Sequence, residues 1–273
     1  MKLVNAKSLL GALIVVFTLM GCDSLKNGGG LKNVNIFPIS QDKQLGLQVK
    51  QEIASNPAEY KVLDRKKHAA AYKHLDRMMG AILNSGELKY REEFAWETYI
   101  IQDDNVLNAF CTPGGYIYVY TGLIKYLENE SDLAGVLGHE VAHADRRHST
   151  AQLTKLYGVE ILSSIALGEN SGNTIAQVAK SLASLKFSRN HETDADAHSV
   201  KYLCPTPYKA DGAASFFQKL LDNQQSGGTP EFLSTHPSPA DRVAKITAKK
   251  TELACSGTKT NNKLYKEFQN ALP

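Results

Sequence analysis

From Ser40 onward, Leu45, Val49 and Ile53 recur every four positions until Asn56-Pro57, a spacing that predicts a first helix ending there. Tyr72, Leu75, Met79 and Leu83 step by three and four, predicting a second helix over 65–83 that Asn84-Ser85-Gly86 stops. The period then changes. Phe94, Trp96, Thr98 and Ile100 alternate with Ala95, Glu97, Tyr99 and Ile101, and the stretch 116–120 is aromatic and β-branched, so this region reads as strands of a small sheet. Pro113-Gly114-Gly115 marks the turn between a short strand around 108–111 and the strand at 116–120. After Glu130 the pattern is helical to Ala254, with interruptions expected at 168–173, 204–207 and 225–239. The predicted fold is α+β and mainly helical, with helices packed on a small β-sheet.

The first residues follow a different logic. Lys2 and Lys7 precede an apolar run over 9–20 and then Gly21-Cys22, the order of a secretory signal. An apolar run of about 12 residues falls short of the ~20 needed to cross a bilayer. Leu19-Met20-Gly21-Cys22 resembles the bacterial lipobox, and the resemblance implies a signal peptide at 1–21, cleavage before Cys22 and lipidation of its thiol. Residues 22–40, with Gly28-Gly29-Gly30, read as the lipidated N-terminus and flexible tether, 41–256 as the folded domain and 257–273 as a C-terminal tail. The expected location is the bacterial cell envelope, anchored by lipid on the extracytoplasmic side, with the choice of membrane open. Composition fits an ordinary globular domain: 42% of the 273 residues are hydrophobic and 22% charged. A net charge of +3 with scattered Lys and Arg gives no footprint for nucleic acid.

The chemistry is concentrated in Gly138-His-Glu-Val-Ala-His143, an HExxH segment set among Leu133, Val136, Leu137 and Val141 at helical spacing, with Asn129 or Ser131 available as the N-cap. Four residues correspond to about 6 Å of rise and about 40° of rotation, so His139 and His143 share a helix face and can converge on one ion. Glu140 projects beside them, toward water rather than metal. A catalytic zinc takes three protein ligands and leaves a fourth position open. The extended pattern HExxHxxGxxH would need Gly at 146 and His at 149; the chain has Arg146 and Ser149, and His148 is one position short, so it reads as a packing histidine. The other source is a later helix bearing Glu192 and Asp196 at i and i+4, with Glu192 as third ligand and Asp196 orienting a ligand histidine. Such a set would be of the gluzincin type, with one Zn2+ per chain expected on His139, His143 and Glu192.

Several motifs fall in order: Asn108-Ala-Phe, Pro113-Gly-Gly-Tyr-Ile-Tyr-Val, the HEVAH segment, Ser188-Arg189 with Glu192 and Asp196, and His236-Pro-Ser with Arg242. Together they resemble metallopeptidase family 48, the HtpX-like and BepA- and LoiP-like zinc enzymes, over roughly residues 40–254. The form expected here lacks the tetratricopeptide repeats some carry. Where the usual pattern has Glu-x-Glu-Ala-Asp followed by Gly, this chain has Asp194 at the second Glu and Ser199 at the Gly, which puts the local helix packing in question.

The resemblance implies a zinc endopeptidase acting on polypeptides, with misfolded or damaged envelope proteins as the expected substrates. It implies that Asn108, Ala109 and Phe110 lie on a sheet edge that receives an extended peptide as an added strand. It suggests that His236, taken as exposed in a loop, stabilises the oxyanion, a loop-capping hydrogen bond being the alternative. Arg242 reads as a salt-bridge anchor; His68, His74, His191 and His198 show no convergent partners. The stretch 150–186 is either a lid or a loop between packing helices. With Cys111 on the substrate-side strand, Cys204 and Cys255, each just past a predicted helix end, are the expected disulfide. A rival reading is an envelope chaperone or assembly factor with an occluded or regulatory zinc site. Oligomeric state is not legible.

Overall fold

The computed structural model describes residues 37–169, 172–224, 231–236 and 241–273. The signal segment, Cys22 and most of the tether lie outside the described residues, as does Pro237. Among the described residues no helix is long and apolar enough to cross a membrane.

Helix α1 (Ile39–Ser55) buries Leu45, Val49 and Ile53, the stripe set by its four-residue period. Helix α2 (Ala69–Leu83) starts later than its apolar spacing predicts. The cause is local: Asp64 Oδ1 accepts the backbone N–H of Lys66 at 2.9 Å and of Lys67 at 2.8 Å. Such a side-chain turn competes with the first turn of a helix.

Strands β1 (Glu97–Ile101), β2 (Ala109–Thr112) and β3 (Tyr116–Tyr120) form one sheet in the order β1-β3-β2, with β1 parallel and β2 antiparallel to β3. The hairpin between β2 and β3 turns through Gly114 and Gly115, whose φ angles of 78° and 87° suit residues without a Cβ. The period-two pattern sorts the core into two clusters. Tyr116, Tyr118, Tyr120 and Phe110 join α1 residues in one, where Phe110 and Tyr118 stack at 4.8 Å. Ile117, Val119, Ala109 and Cys111 point the other way, into a cluster with α2.

Helices follow for the rest of the chain: α3 (Thr121–Tyr126), α4 (Glu130–Asp145), α5 (His148–Tyr157), α6 (Val159–Ala166), α7 (Gly172–Ala183), α8 (Arg189–Leu203), α9 (Gly212–Gln224), α10 (Glu231–Thr235), α11 (Arg242–Glu252) and α12 (Asn262–Asn270). Helix α3 and the break at Gly158, between α5 and α6, are not in the sequence pattern. Segment 257–273, read above as a tail, contains α12, whose Tyr265 and Phe268 are fully buried in the larger cluster.

Every residue of helix α4 is buried. Leu133, Val136, Leu137 and Val141 are wholly enclosed, and burying each of them contributes roughly 1.5–3 kcal/mol. Two glycines set its neighbours. A Cβ at Gly135 would lie 2.1 Å from the backbone nitrogen of Ala213, so α9 crosses there at backbone contact. A Cβ at Gly138 would lie 2.8 Å from Ser199 Oγ, which donates to the carbonyl of Gly135 at 2.9 Å. The departure at Ser199 is thus absorbed by glycines on the facing helix.

Candidate metal centre

A helix buried on every side must satisfy each polar side chain it carries. On α4, Asn129 caps the N-terminus by accepting the N–H of Asp132 at 3.1 Å, Glu130 pairs with Arg77, and Asp145 accepts the backbone N–H groups of Lys89 and Tyr90 and the hydroxyl of Tyr202. Glu140 is the exception. Both its carboxylate oxygens are buried without a hydrogen-bond partner among the described residues, and His236 Nε2 lies 3.5 Å from Oε1. Burial raises its proton affinity above the ordinary carboxylate range.

Helix α8 crosses α4 and begins at Ser188, whose hydroxyl accepts the N–H of His191 at 3.3 Å as an N-cap. This start puts Glu192 in the first turn, facing the two histidines. His139 Nε2 and His143 Nε2 face each other at 3.0 Å; Glu192 Oε2 lies 3.5 Å from the first and Oε1 3.3 Å from the second. His236, just past α10, brings Nδ1 to 3.2 Å from His139 Nε2 and 3.1 Å from Glu192 Oε1. Ligand atoms of all four residues lie within 4.8 Å of one another. His236 is therefore buried among the donors, rather than exposed in a loop as expected from the sequence.

The buried groups of this cluster also shift one another's proton affinity. Burial disfavours charge on Glu192, yet the charges of His236 and Arg242 and bonds from His139 and His143 hold its carboxyl well below the usual range. Burial lowers the basicity of His139, but its contacts with Asp196 and Glu192 push it up to about 9. The fit to a metal is geometric as well. A tetrahedral ion with bonds of ~2.0–2.1 Å separates its ligand atoms by about 3.3 Å, close to the spacings of the His139, His143 and Glu192 donors. A buried set of two imidazoles and a carboxylate suits a divalent transition metal.

Around the donors, Asp196 Oδ1 lies 2.9 Å from His139 Nδ1, which leaves Nε2 free to face the cluster. Arg242, nearly fully buried at the start of α11, reaches Asp196 with two nitrogens at 2.6 and 2.8 Å and Glu192 Oε2 at 2.9 Å, while its guanidinium lies 3.8 Å over the Phe217 ring.

Comparison with known proteins adds the decisive observation. The model of "Peptidase family M48" matches residues 69–250, a span that holds α4 and α8 with all the donors and Arg242. The chain belongs to peptidase family M48. It is 32% identical over 153 residues to the mitochondrial metalloendopeptidase OMA1 of Arabidopsis thaliana, covering 55% of this chain and 31% of that protein. It is 31% identical over 159 residues to the beta-barrel assembly-enhancing protease of Escherichia coli K12, covering 54% of this chain and 32% of that one. It is 27% identical over 158 residues to the metalloprotease YcaL of the same strain, covering 55% and 60%. The chain thus spans about a third of the first of these relatives, and a larger share of YcaL. As an M48 member it carries its His, His and Glu donors on two crossed helices beside a small sheet, the core the sequence predicted.

Other predicted residues fall nearby rather than in the cluster. β2 is an edge of the sheet and packs beside α4. Asn108 accepts the N–H of Ala109 and donates to the carbonyl of Ala183 at 3.2 Å, and Phe110 is buried in the tyrosine layer. Cys204 and Cys255 are joined by a disulfide, and Cys111 is a buried free thiol. Sequence reasoning left His148 and Asp194 out of the site. His148 Nδ1 lies 3.1 Å from His143 Nδ1, and His148 Nε2 lies 3.2 Å from Asp194 Oδ2. The spacing of five from His143 would not place His148 there on a continuous helix; a chain reversal after α4 does.

Proposed function

We propose that this protein is a zinc-dependent endopeptidase of the bacterial envelope, tethered through a lipid on Cys22 and acting on misfolded or damaged envelope polypeptides. The observation that carries the reading is Glu140: a buried carboxylate that makes no hydrogen bond among the described residues, beside three convergent candidate metal donors.

In this reading His139, His143 and Glu192 would hold one zinc ion. When bound, the ion polarises the scissile carbonyl and lowers the pKa of a water molecule. The protein's own residues do the rest. Glu140 accepts a proton from the attacking water and returns it to the leaving amine, a task suited to a carboxylate whose proton affinity is raised by burial. Asp196 holds His139 by Nδ1, so that Nε2 faces the other donors, and Arg242 fixes the carboxylates of both Asp196 and Glu192. His236, whose Nε2 is turned toward Glu140, is assigned to stabilising the oxyanion. The outer strand of the sheet at Asn108, Ala109 and Phe110, all buried, is assigned to binding the substrate as an added strand, which gives weak sequence preference.

The name of the E. coli relative, a beta-barrel assembly-enhancing protease, supports an envelope setting, and the signal-like N-terminus supports export. The test is digestion of casein and of a chemically unfolded protein by the purified chain, with and without a chelator. Cleavage that stops with chelator and returns with zinc supports the reading; chelator-insensitive cleavage, or none with zinc bound, removes it.

A further inference from the structure

His139 and His143 are braced in different ways. His139 meets a carboxylate directly, at Asp196. His143 turns its Nδ1 to another imidazole, His148, at 3.1 Å, and His148 turns its far nitrogen, Nε2, to Asp194 at 3.2 Å. We propose that His148 and Asp194 are positioning residues of the metal centre, forming an imidazole–carboxylate relay that fixes His143 with its proton on Nδ1 and its lone pair on Nε2. The inference rests on the zinc site proposed above and deepens it.

Proton bookkeeping gives one consistent arrangement. A neutral histidine that offers Nε2 to a metal carries its proton on Nδ1 and must donate it. The atom it meets is His148 Nδ1, which must then be the acceptor, so the proton of His148 sits on Nε2. That nitrogen meets Asp194 Oδ2, an ionised carboxylate, which can only accept. Each of the two hydrogen bonds has one donor and one acceptor, and no group needs an additional charge.

The surroundings hold the relay in place. The chain leaves α4 through Arg147, whose φ of 60° lies in the left-handed region. That conformation costs a non-glycine residue roughly 1–2 kcal/mol, and Arg147 is tied down by its ion pair with Asp42. The reversal starts α5 at His148 and aims its ring back at His143. The His148 ring stacks on His191 at 4.4 Å and 9° between planes, while the ring of His143 stacks on Phe187 at 3.8 Å. Asp194 Oδ2 also accepts from Arg146 Nε at 2.8 Å. Because Glu192, Asp194 and Asp196 occupy alternate positions of α8, one helix supplies a ligand and the terminal carboxylates that brace both ligand histidines.

The test measures zinc affinity of the full chain by competition with a chromogenic chelator, so that it does not depend on peptidase activity. His148→Phe keeps the stack on His191 but removes the acceptor; Asp194→Ala removes the terminal carboxylate at the half-exposed end; Asp194→Glu restores a carboxylate. Loss of such outer partners typically weakens metal binding about 10–100-fold, and that loss is expected for His148→Phe and Asp194→Ala, with recovery in Asp194→Glu. In the zinc-loaded wild type, nitrogen NMR should place the His143 proton on Nδ1. Unchanged zinc affinity in both loss variants overturns the relay, as does a loss that Asp194→Glu fails to recover, which assigns the effect to packing. Should His148→Phe not fold, the Asp194 pair decides alone. A wild-type chain that binds zinc but digests nothing removes the peptidase reading and leaves the relay measurable; one that binds no zinc removes both.

Discussion

Arg242 grips Asp196 through two nitrogens, Nε to Oδ2 at 2.6 Å and Nη2 to Oδ1 at 2.8 Å, with both side chains almost wholly buried. The pair joins α11 to α8 directly behind the donor cluster. Breaking a buried ion pair from one side leaves an uncompensated charge and costs about 3–5 kcal/mol. Arg242→Met should therefore destabilise the protein by that order in urea unfolding of the zinc-free chain, while Arg242→Lys, which keeps the charge but loses the fork, should recover only part of it. A loss below about 1 kcal/mol for the Met variant would mean that the pair does not secure α11.

Zinc content separates the donors by role. His139→Ala and Glu192→Ala should bind no stoichiometric zinc, because each removes one of three ligands. His236→Ala should retain it, since those three remain. Full occupancy in Glu192→Ala, or loss in His236→Ala, measured by metal analysis after dialysis, would reassign the third ligand to His236.

The disulfide between Cys204 and Cys255 ties the end of α8 to the segment after α11, across 51 positions. Closing a loop of that length removes denatured-state entropy worth about 4 kcal/mol in the chain-entropy account. Cys255→Ser should lower stability by about 2–5 kcal/mol without changing zinc content. A variant as stable as wild type under oxidising conditions would show that the bridge constrains nothing.

Asp132, in the first turn of α4, predicts a pH effect. Burial, aided by the charge of Glu128, pushes its carboxyl up to about 6, above the unfolded value near ~3.9. The folded state thus holds the extra proton between about pH 4 and 6, and stability falls as pH rises through that window, by about 3 kcal/mol at most. Helix-dipole attraction for the charged form, about 0.3–1 kcal/mol, reduces this. Asp132→Asn should flatten the slope between pH 4 and 6 and stabilise the protein at pH 7. An unchanged slope in the variant would assign it to other carboxyls.

How far these sites are legible in the sequence depends on whether they lie within one element. The pairs His139/His143 and Glu192/Asp196 are each fixed by helical spacing, so the donors were readable before their helices were seen to cross. The sheet was readable because Tyr116, Tyr118 and Tyr120 alternate with Ile117 and Val119. The approach of His148 to His143 was not, because it depends on the left-handed residue Arg147 and on the partner of its ion pair, Asp42, far away in sequence. Helix α12 was missed for another reason. Its strongly amphipathic nine residues have only Tyr265 and Phe268 as buried anchors, a pattern that in isolation resembles a polar tail.

The choice between a peptidase and an assembly factor with an occluded zinc site comes down to Glu140. Glu140→Gln keeps the size of the side chain and leaves the proposed ligands untouched, but removes the group that accepts a proton from water. Both oxygens of Glu140 lack hydrogen-bond partners among the described residues, and the nearest ion-pair contact, His236 Nε2 at 3.5 Å, is long, so the variant should fold with near wild-type stability. Zinc content and binding of unfolded substrate should also match wild type. Cleavage should fall by about 10²–10⁴-fold, the usual effect of losing a general base. A role in binding alone would not register the change. If the Gln variant restores the envelope phenotype of a deletion strain in full, hydrolysis is not the physiological function, and the assembly-factor reading takes its place.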